Sequence, residues 1–326
     1  MPLDTLTRRR LMQASPLALL PPTAGAQRWP ARPLRFVVPA PPGNGILDIM
    51  ARLIGHRLAA RIGQQVVIEN KPGAANNIGS AFVARAPADG HTLLMCNSSL
   101  VVAPFLYANL GYDPMADLIP VTQVNSAPLL LVVHPDLPAR SVPELIALAK
   151  ANPGKLNYGS AGLGSTPYLA TELFKSMTGT DIVHVPYKGG APALADLVGG
   201  QLSFMIENVP GSLPLVQDGR LRALAVTSRA RTALVPDLPT MTEAGLPGYE
   251  MIGWNGVFVA RGTPHAIVER LAREVAAIVG DPEMRAQMQN LGAEPVGSTP
   301  AAFGSFYRSE AERWGTIIKE RGIKPE

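Results

Sequence analysis

Two segments of this 326-residue chain have residue types and spacing that could do chemistry. The first is Pro39-Ala40-Pro41-Pro42-Gly43-Asn44-Gly45-Ile46-Leu47-Asp48, and the second is Tyr158-Gly159-Ser160-Ala161-Gly162-Leu163-Gly164-Ser165-Thr166-Pro167. Each follows a short apolar run of strand character and leads into a helical pattern. Glycine lets the backbone approach a ligand closely, and the first amides of a helix have no partner within it and sit at the positive end of its dipole. Both loops are therefore suited to hold an anion. A helix dipole contributes ~0.3 to 1 kcal/mol at a surface, whereas a micromolar ligand needs about −8 kcal/mol. One loop is not enough. Two opposed loops, adding four or more hydrogen bonds to charged oxygens at ~1.5 to 3 kcal/mol each, reach that range. A strand-to-helix turn without a ligand would use the same residues, but matched context in two units favours a shared ligand.

Other polar residues fall at strand ends and could face the same place. Asn76 and Asn77 open a helix, Asn97, Ser98 and Ser99 end a strand, Tyr187 and Lys188 follow another, and Glu207 and Asn208 end a fourth. Helix capping or plain solvation accounts for several of these equally well. The candidate ligand contacts are Ala40, Gly43, Asn44, Gly45, Asp48, Asn77, Ser98, Ser160, Ala161, Gly162, Leu163, Gly164, Ser165, Thr166, Tyr187 and Asn208. Asp48 is expected to cap or order its loop, since like charges repel.

Signatures for other chemistry are missing from the sequence. His56, His91, His134, His184 and His265 lie far apart with no close ligand pair, so no metal site or cofactor is expected. Gly-x-Ser-x-Gly does not occur, and neither glycine loop has dinucleotide or Walker spacing. Cys96, the one cysteine, lies in an apolar strand and reads as a buried, inert thiol.

The elements that must position the loops alternate. Strands are expected at 34–38, 66–70, 92–96, 129–133, 156–159, 182–185, 202–206, 222–226 and 256–260. Helices are expected at 47–62, 78–86, 142–151, 167–178, 191–198 and 213–217, and three proline-led helices at 264–279, 282–291 and 300–321. Such alternation predicts an α/β fold with a mainly parallel sheet, in two units. The trailing strand and helices return to the first sheet, with crossings near 122–126 and 250–254 that form a hinge. The domains expected are 27–124 plus 250–326, and 125–249.

Composition bounds the class. There are 31 glycines and 32 prolines without a collagen period, 17% charged residues and a net charge of +4, so the chain is loop-rich and globular, with no basic run for nucleic acid. Residues 1–26 read as a signal peptide: Arg8-Arg9-Arg10, an apolar stretch over 11–20, then Ala24-Gly25-Ala26 with cleavage after Ala26. The arginines fit either a general export route or a twin-arginine one. A periplasmic, nearly neutral protein is expected.

Seven segments in order carry a family resemblance: residues 39–52, 67–79, 158–162, 185–189, 221–228, 239–245 and 254–256. Together they resemble the Bug family, extracytoplasmic solute-binding receptors of tripartite tricarboxylate transporters. The resemblance implies a two-lobed periplasmic binding protein of type II topology. It implies that loops 40–48 and 160–166 grip a small organic carboxylate, that membrane permease subunits are the partners of a monomeric receptor, and that no reaction is catalysed. Relatives usually read Pro-Pro-Gly-Gly-x-x-Asp where this chain has Asn44 and one extra residue. Ala40 stands in place of a common aromatic, Leu163 in place of a polar residue and Tyr168 in place of histidine, which predicts a pocket roomier on one side and more apolar on the other. A secreted hydrolase using a loop serine, or a ligand-presenting sensory module, are the competing classes.

Overall fold

A computed structural model describes residues 29–43 and 45–323. The expected signal peptide and Asn44 of the first loop lie outside the described residues. The elements run β1 (Leu34–Val38), α1 (Gly45–Ile62), β2 (Val66–Asn70), α2 (Asn77–Ala84), β3 (Thr92–Asn97), α3 (Ser99–Leu106), α4 (Pro114–Asp117) and β4 (Leu118–Val133). Then come α5 (Val142–Ala151), β5 (Asn157–Ser160), α6 (Thr166–Thr178), β6 (Val183–Pro186), α7 (Gly190–Val198), β7 (Phe204–Asn208), α8 (Val209–Gln217) and β8 (Arg222–Val226). The chain closes with β9 (Ile252–Ala260), α9 (His265–Gly280), α10 (Pro282–Asn290), β10 (Glu294–Pro295) and α11 (Pro300–Arg321).

The strands order as β2-β1-β3-β9-β4-β7-β5-β6, with β8 and β10 also pairing β4. In the first lobe β1 pairs β2 and β3 in parallel, and in the second β5 pairs β6 and β7 in parallel. The two central strands depart from the mainly parallel sheet that alternation predicts. β4 carries the chain out of the first lobe and β9 brings it back, so as neighbours they must run antiparallel, and every ladder they make is antiparallel.

β4, with 16 residues, is also about three times as long as the strand expected at 129–133. Its first half contains Pro120, Thr122, Gln123, Asn125, Ser126 and Pro128, which read as loop, yet it pairs with β9 through two register shifts. Bulges of this kind admit proline in a strand. Pro128 is the last residue of β4 to pair with β9, and Leu129 the first to pair with β7. The lobes thus join through a paired two-stranded neck. Sequence patterning also missed α3, whose Leu100, Val101, Val102, Ala103 and Leu106 are all buried. A helix apolar all round shows no amphipathic period.

One apolar cluster runs through both lobes, joining Val37 and Leu94 to Tyr158, Phe174 and Phe204. A second packs α1 and α9 on the first lobe's sheet, and a third packs α7 and α8 on the second's. At the neck Trp254 of β9 meets Phe303, Phe306 and Tyr307 of α11 edge-to-face. No helix among the described residues is long and apolar enough to cross a membrane.

Candidate functional site

The parallel strands of the two lobes end toward each other, and between those ends lies a cleft of about 1040 Å³. Ligands of open α/β sheets bind at such carboxyl edges. Gly43 and Gly162 both line this cleft, together with Ala40, Gly45, Ala161, Ser165, Thr166, Tyr187 and Asn208.

The first loop is held from below by Asp48, which is fully buried. Its carboxylate accepts from the Gly43 amide at 2.7 Å, from Arg52 Nε at 2.7 Å and Nη2 at 3.2 Å, and from Asn70 Nδ2 at 2.7 Å. Burial raises the Asp48 pKa, but the bonds from Arg52, Asn70 and Gly43 outweigh it and hold the carboxyl below the usual range. Gly43 is therefore no free donor: its amide belongs to Asp48. The amides of Gly45, Ile46 and Leu47 at the start of α1 donate to no acceptor among the described residues and line the cleft. Asp48→Asn is expected to cost ~1 to 3 kcal/mol in urea denaturation at neutral pH, since hydrogen bonds to a charge become neutral ones. The stabilisation from this carboxylate is complete above the ordinary aspartate pKa and is lost as pH falls through its lowered native value. The asparagine variant should lack that acid-dependent loss.

The second loop divides between wall and support. Ala161 and Thr166 line the cleft, and their amides are open among the described residues. Ser165 caps α6 by accepting the Tyr168 amide at 3.3 Å. Ser160 lies beneath, fully buried, 2.7 Å from His184 Nε2, and its Oγ accepts the Gly162 amide at 3.1 Å. Gly164 faces the first lobe, where a Cβ would meet Leu106 at 3.4 Å and Val102 at 3.5 Å. The Leu163 carbonyl accepts from Tyr107 at 3.4 Å. Ser98 does not line the cleft; its hydroxyl bonds Thr166 Oγ1 at 2.9 Å across the lobes. Asn77 turns away and accepts from Tyr112 at 2.9 Å. Thus Asp48, Asn77, Ser98, Ser160, Leu163 and Gly164 support the cleft rather than line it. Leu163 is not among the residues lining the cleft, and Tyr168 packs in the core against His184 at 4.9 Å.

Several lining residues carry polar groups that the sequence singled out less sharply or not at all. Asn97 and Asn255, register partners on β3 and β9, lie on the floor, and Asn76 donates to Asn97 Oδ1 at 3.3 Å and to Ser99 Oγ at 2.9 Å. Ala74, Ala75 and Asn76 line the cleft with φ of 45°, 47° and 76°, a left-handed run unusual outside glycine. Ala75→Gly is expected to gain up to ~1 kcal/mol in urea denaturation by removing a Cβ from this conformation. In the second lobe, Tyr187 donates to Asp196 at 2.7 Å, and burial followed by that carboxylate pushes its phenol up to about 12. Exposed Lys188 and Arg220 stand on the same wall. Cys96 is buried against Ser80 and Ser99, and burial pushes its thiol up. Among the described residues no three His, Cys, Asp or Glu side chains gather to hold a metal.

A model of the tripartite tricarboxylate transporter family receptor, TctC, matches residues 50–323. This chain belongs to that family. The TctC-family chain is 39% identical over 301 residues to the protein BugT of Bordetella pertussis, covering 92% of each. It is 42% identical to Rpa4515 of R. palustris, solved with adipate, with a TM-score of 0.87 over 91% of this chain and all of that one. MatC of Rhodopseudomonas palustris, solved with bound malate, is 32% identical with a TM-score of 0.82, over 89% of this chain and all of that one. Rpa4515 and MatC share the two-lobed α/β fold of this chain, and the function of this chain is that of a solute-binding receptor of a tripartite transporter.

Proposed function

We propose that this receptor works in the periplasm, closes its lobes on one small organic carboxylate, and hands it as a monomer to the permease subunits of its transporter without catalysing a reaction. The lobes would be residues 27–124 with 250–326, and residues 125–249. The change of partner in β4 at Pro128 and Leu129 supports a first crossing a few residues beyond 124. The observation that carries the reading is the convergence, on one cleft and from both lobes, of loop and helix-start amides that donate to no acceptor among the described residues. Gly45, Ile46 and Leu47 come from the first, and Ala161, Thr166, Gly190 and Ala191 from the second. Such donors stabilise anionic oxygens without a cation. Adipate and malate in the relatives are acids of the class that fits.

Ser160 beside His184 has the spacing of a nucleophile and base. A hydrolase reading is disfavoured because Ser160 is not among the residues that line the cleft and its hydroxyl holds the loop by accepting the Gly162 amide. Calorimetry with adipate and malate should give saturable binding near micromolar, about −8 kcal/mol. Native mass spectrometry should show an acid carried through purification. Failure of every carboxylate to bind, together with turnover of a small ester that Ser160→Ala abolishes, would overturn the receptor reading.

A further inference from the structure

Glu207, at the end of β7, is an anomaly in a cleft built for anions. It belongs to the cleft wall yet is 4% exposed. Its Oε1 accepts from the Asn208 amide at 2.8 Å and from Asn208 Nδ2 at 2.6 Å. Its Oε2 is buried with no hydrogen-bond partner. The carboxyl lies under Gly190 at the start of α7, where a Cβ would stand 3.1 Å from Oε2. The amides of Gly189, Gly190 and Ala191 beside it donate to no acceptor among the described residues.

No ion pair involves Glu207 among the described residues. The packed elements offer little to compensate a charge: β4 and α8 carry no ionisable side chain, and α7 carries Asp196, already bonded to Tyr187. On β5 and α6, Tyr158 and Lys175 both bond Glu172, and Tyr168 is the remaining ionisable group. On β6, His184 bonds Ser160, while the cations on the wall, Lys188 and Arg220, are exposed. Burial pushes the Glu207 carboxyl up, against the two bonds from Asn208. An ionised Glu207 would also repel a carboxylate brought into the cleft.

We propose that Glu207 determines specificity as a neutral carboxylic acid, donating its Oε2 proton to an oxygen of the bound acid beside the open amides of α7 and discriminating against an ammonium group. This rests on the carboxylate reading above. It makes binding of a carboxylate depend on one proton at the second lobe.

Glu207→Gln tests it, because glutamine keeps an acceptor for Asn208 at Oε1 and places an N–H donor where the acid proton stood. Infrared difference spectra of wild type against the variant, with adipate bound, should contain a protonated-carboxyl C=O stretch at neutral pH. Adipate affinity of the wild type should fall up to ~tenfold per pH unit above the pH at which that band is lost in the free protein. The variant should show no such slope and should bind at least about tenfold tighter than wild type one unit above that point. Without ligand, the melting temperature of wild type should drop relative to the variant as pH rises above the ordinary glutamate range, since the unfolded chain ionises first. Absence of the band, loss of adipate binding in the variant at every pH, or tight wild-type binding of an amine that the variant loses would overturn the inference and leave the receptor reading standing. If no carboxylate binds the wild type, the carboxylate reading fails, and this inference with it.

Discussion

Gly162→Val should weaken adipate binding by about 100-fold or more while leaving thermal unfolding cooperative. Gly162 has φ of 104°, a region closed to β-branched residues, and its Cβ would point toward the Tyr187 carbonyl at 3.5 Å. The loop would relax rather than hold that strain, at ~1 to 3 kcal/mol, and would carry the open amides of Ala161 and Thr166 out of line. Losing two hydrogen bonds to charged oxygens at ~1.5 to 3 kcal/mol each accounts for the expected loss. The fold should survive because α6 is anchored below the loop by Tyr168, Leu169 and Phe174, all buried. Calorimetry paired with a thermal melt checks both halves. Unchanged affinity would remove the second loop from the site.

Trp254→Ala is expected to have the largest effect on stability, ~3 to 5 kcal/mol by urea denaturation. The indole is 1% exposed, with ring centroids of Phe303 and Phe306 at 5.8 and 5.7 Å, and its Nε1 donates to Glu310 at 3.2 Å. Truncation would leave a cavity between β9 and α11, and a buried glutamate oxygen without its donor. Trp254 also pairs Ser126 of β4 and contributes to the cleft floor, so ligand binding should weaken along with stability. A loss under ~1 kcal/mol would mean that the neck repacks freely.

Much of the architecture was legible because strand and helix patterns are local. β1, β2, α5, β8 and α11 begin and end where apolar periodicity and capping residues place them. The first half of β4 was not, because its prolines and polar residues are tolerated only through pairing with β9, a partner more than a hundred residues away. α3 was hidden for the opposite reason, its unbroken apolar run from Leu100 to Leu106 erasing any period.

The sequence by itself determined that two glycine loops each join a strand to a helix in matched units, since glycine, N-cap and apolar run act within a few residues. Only the tertiary structure decided which groups in those loops and around the cleft are spent and which are open. Gly43 gives its amide to Asp48, Ser160 is taken up by His184 and Gly162, Ser98 ties to Thr166 across the lobes, and Glu207 is left with a bare oxygen. Hydrogen-bond satisfaction depends on what the other lobe and the layers beneath bring within 3 Å or so, and spacing along the chain carries no record of those distances.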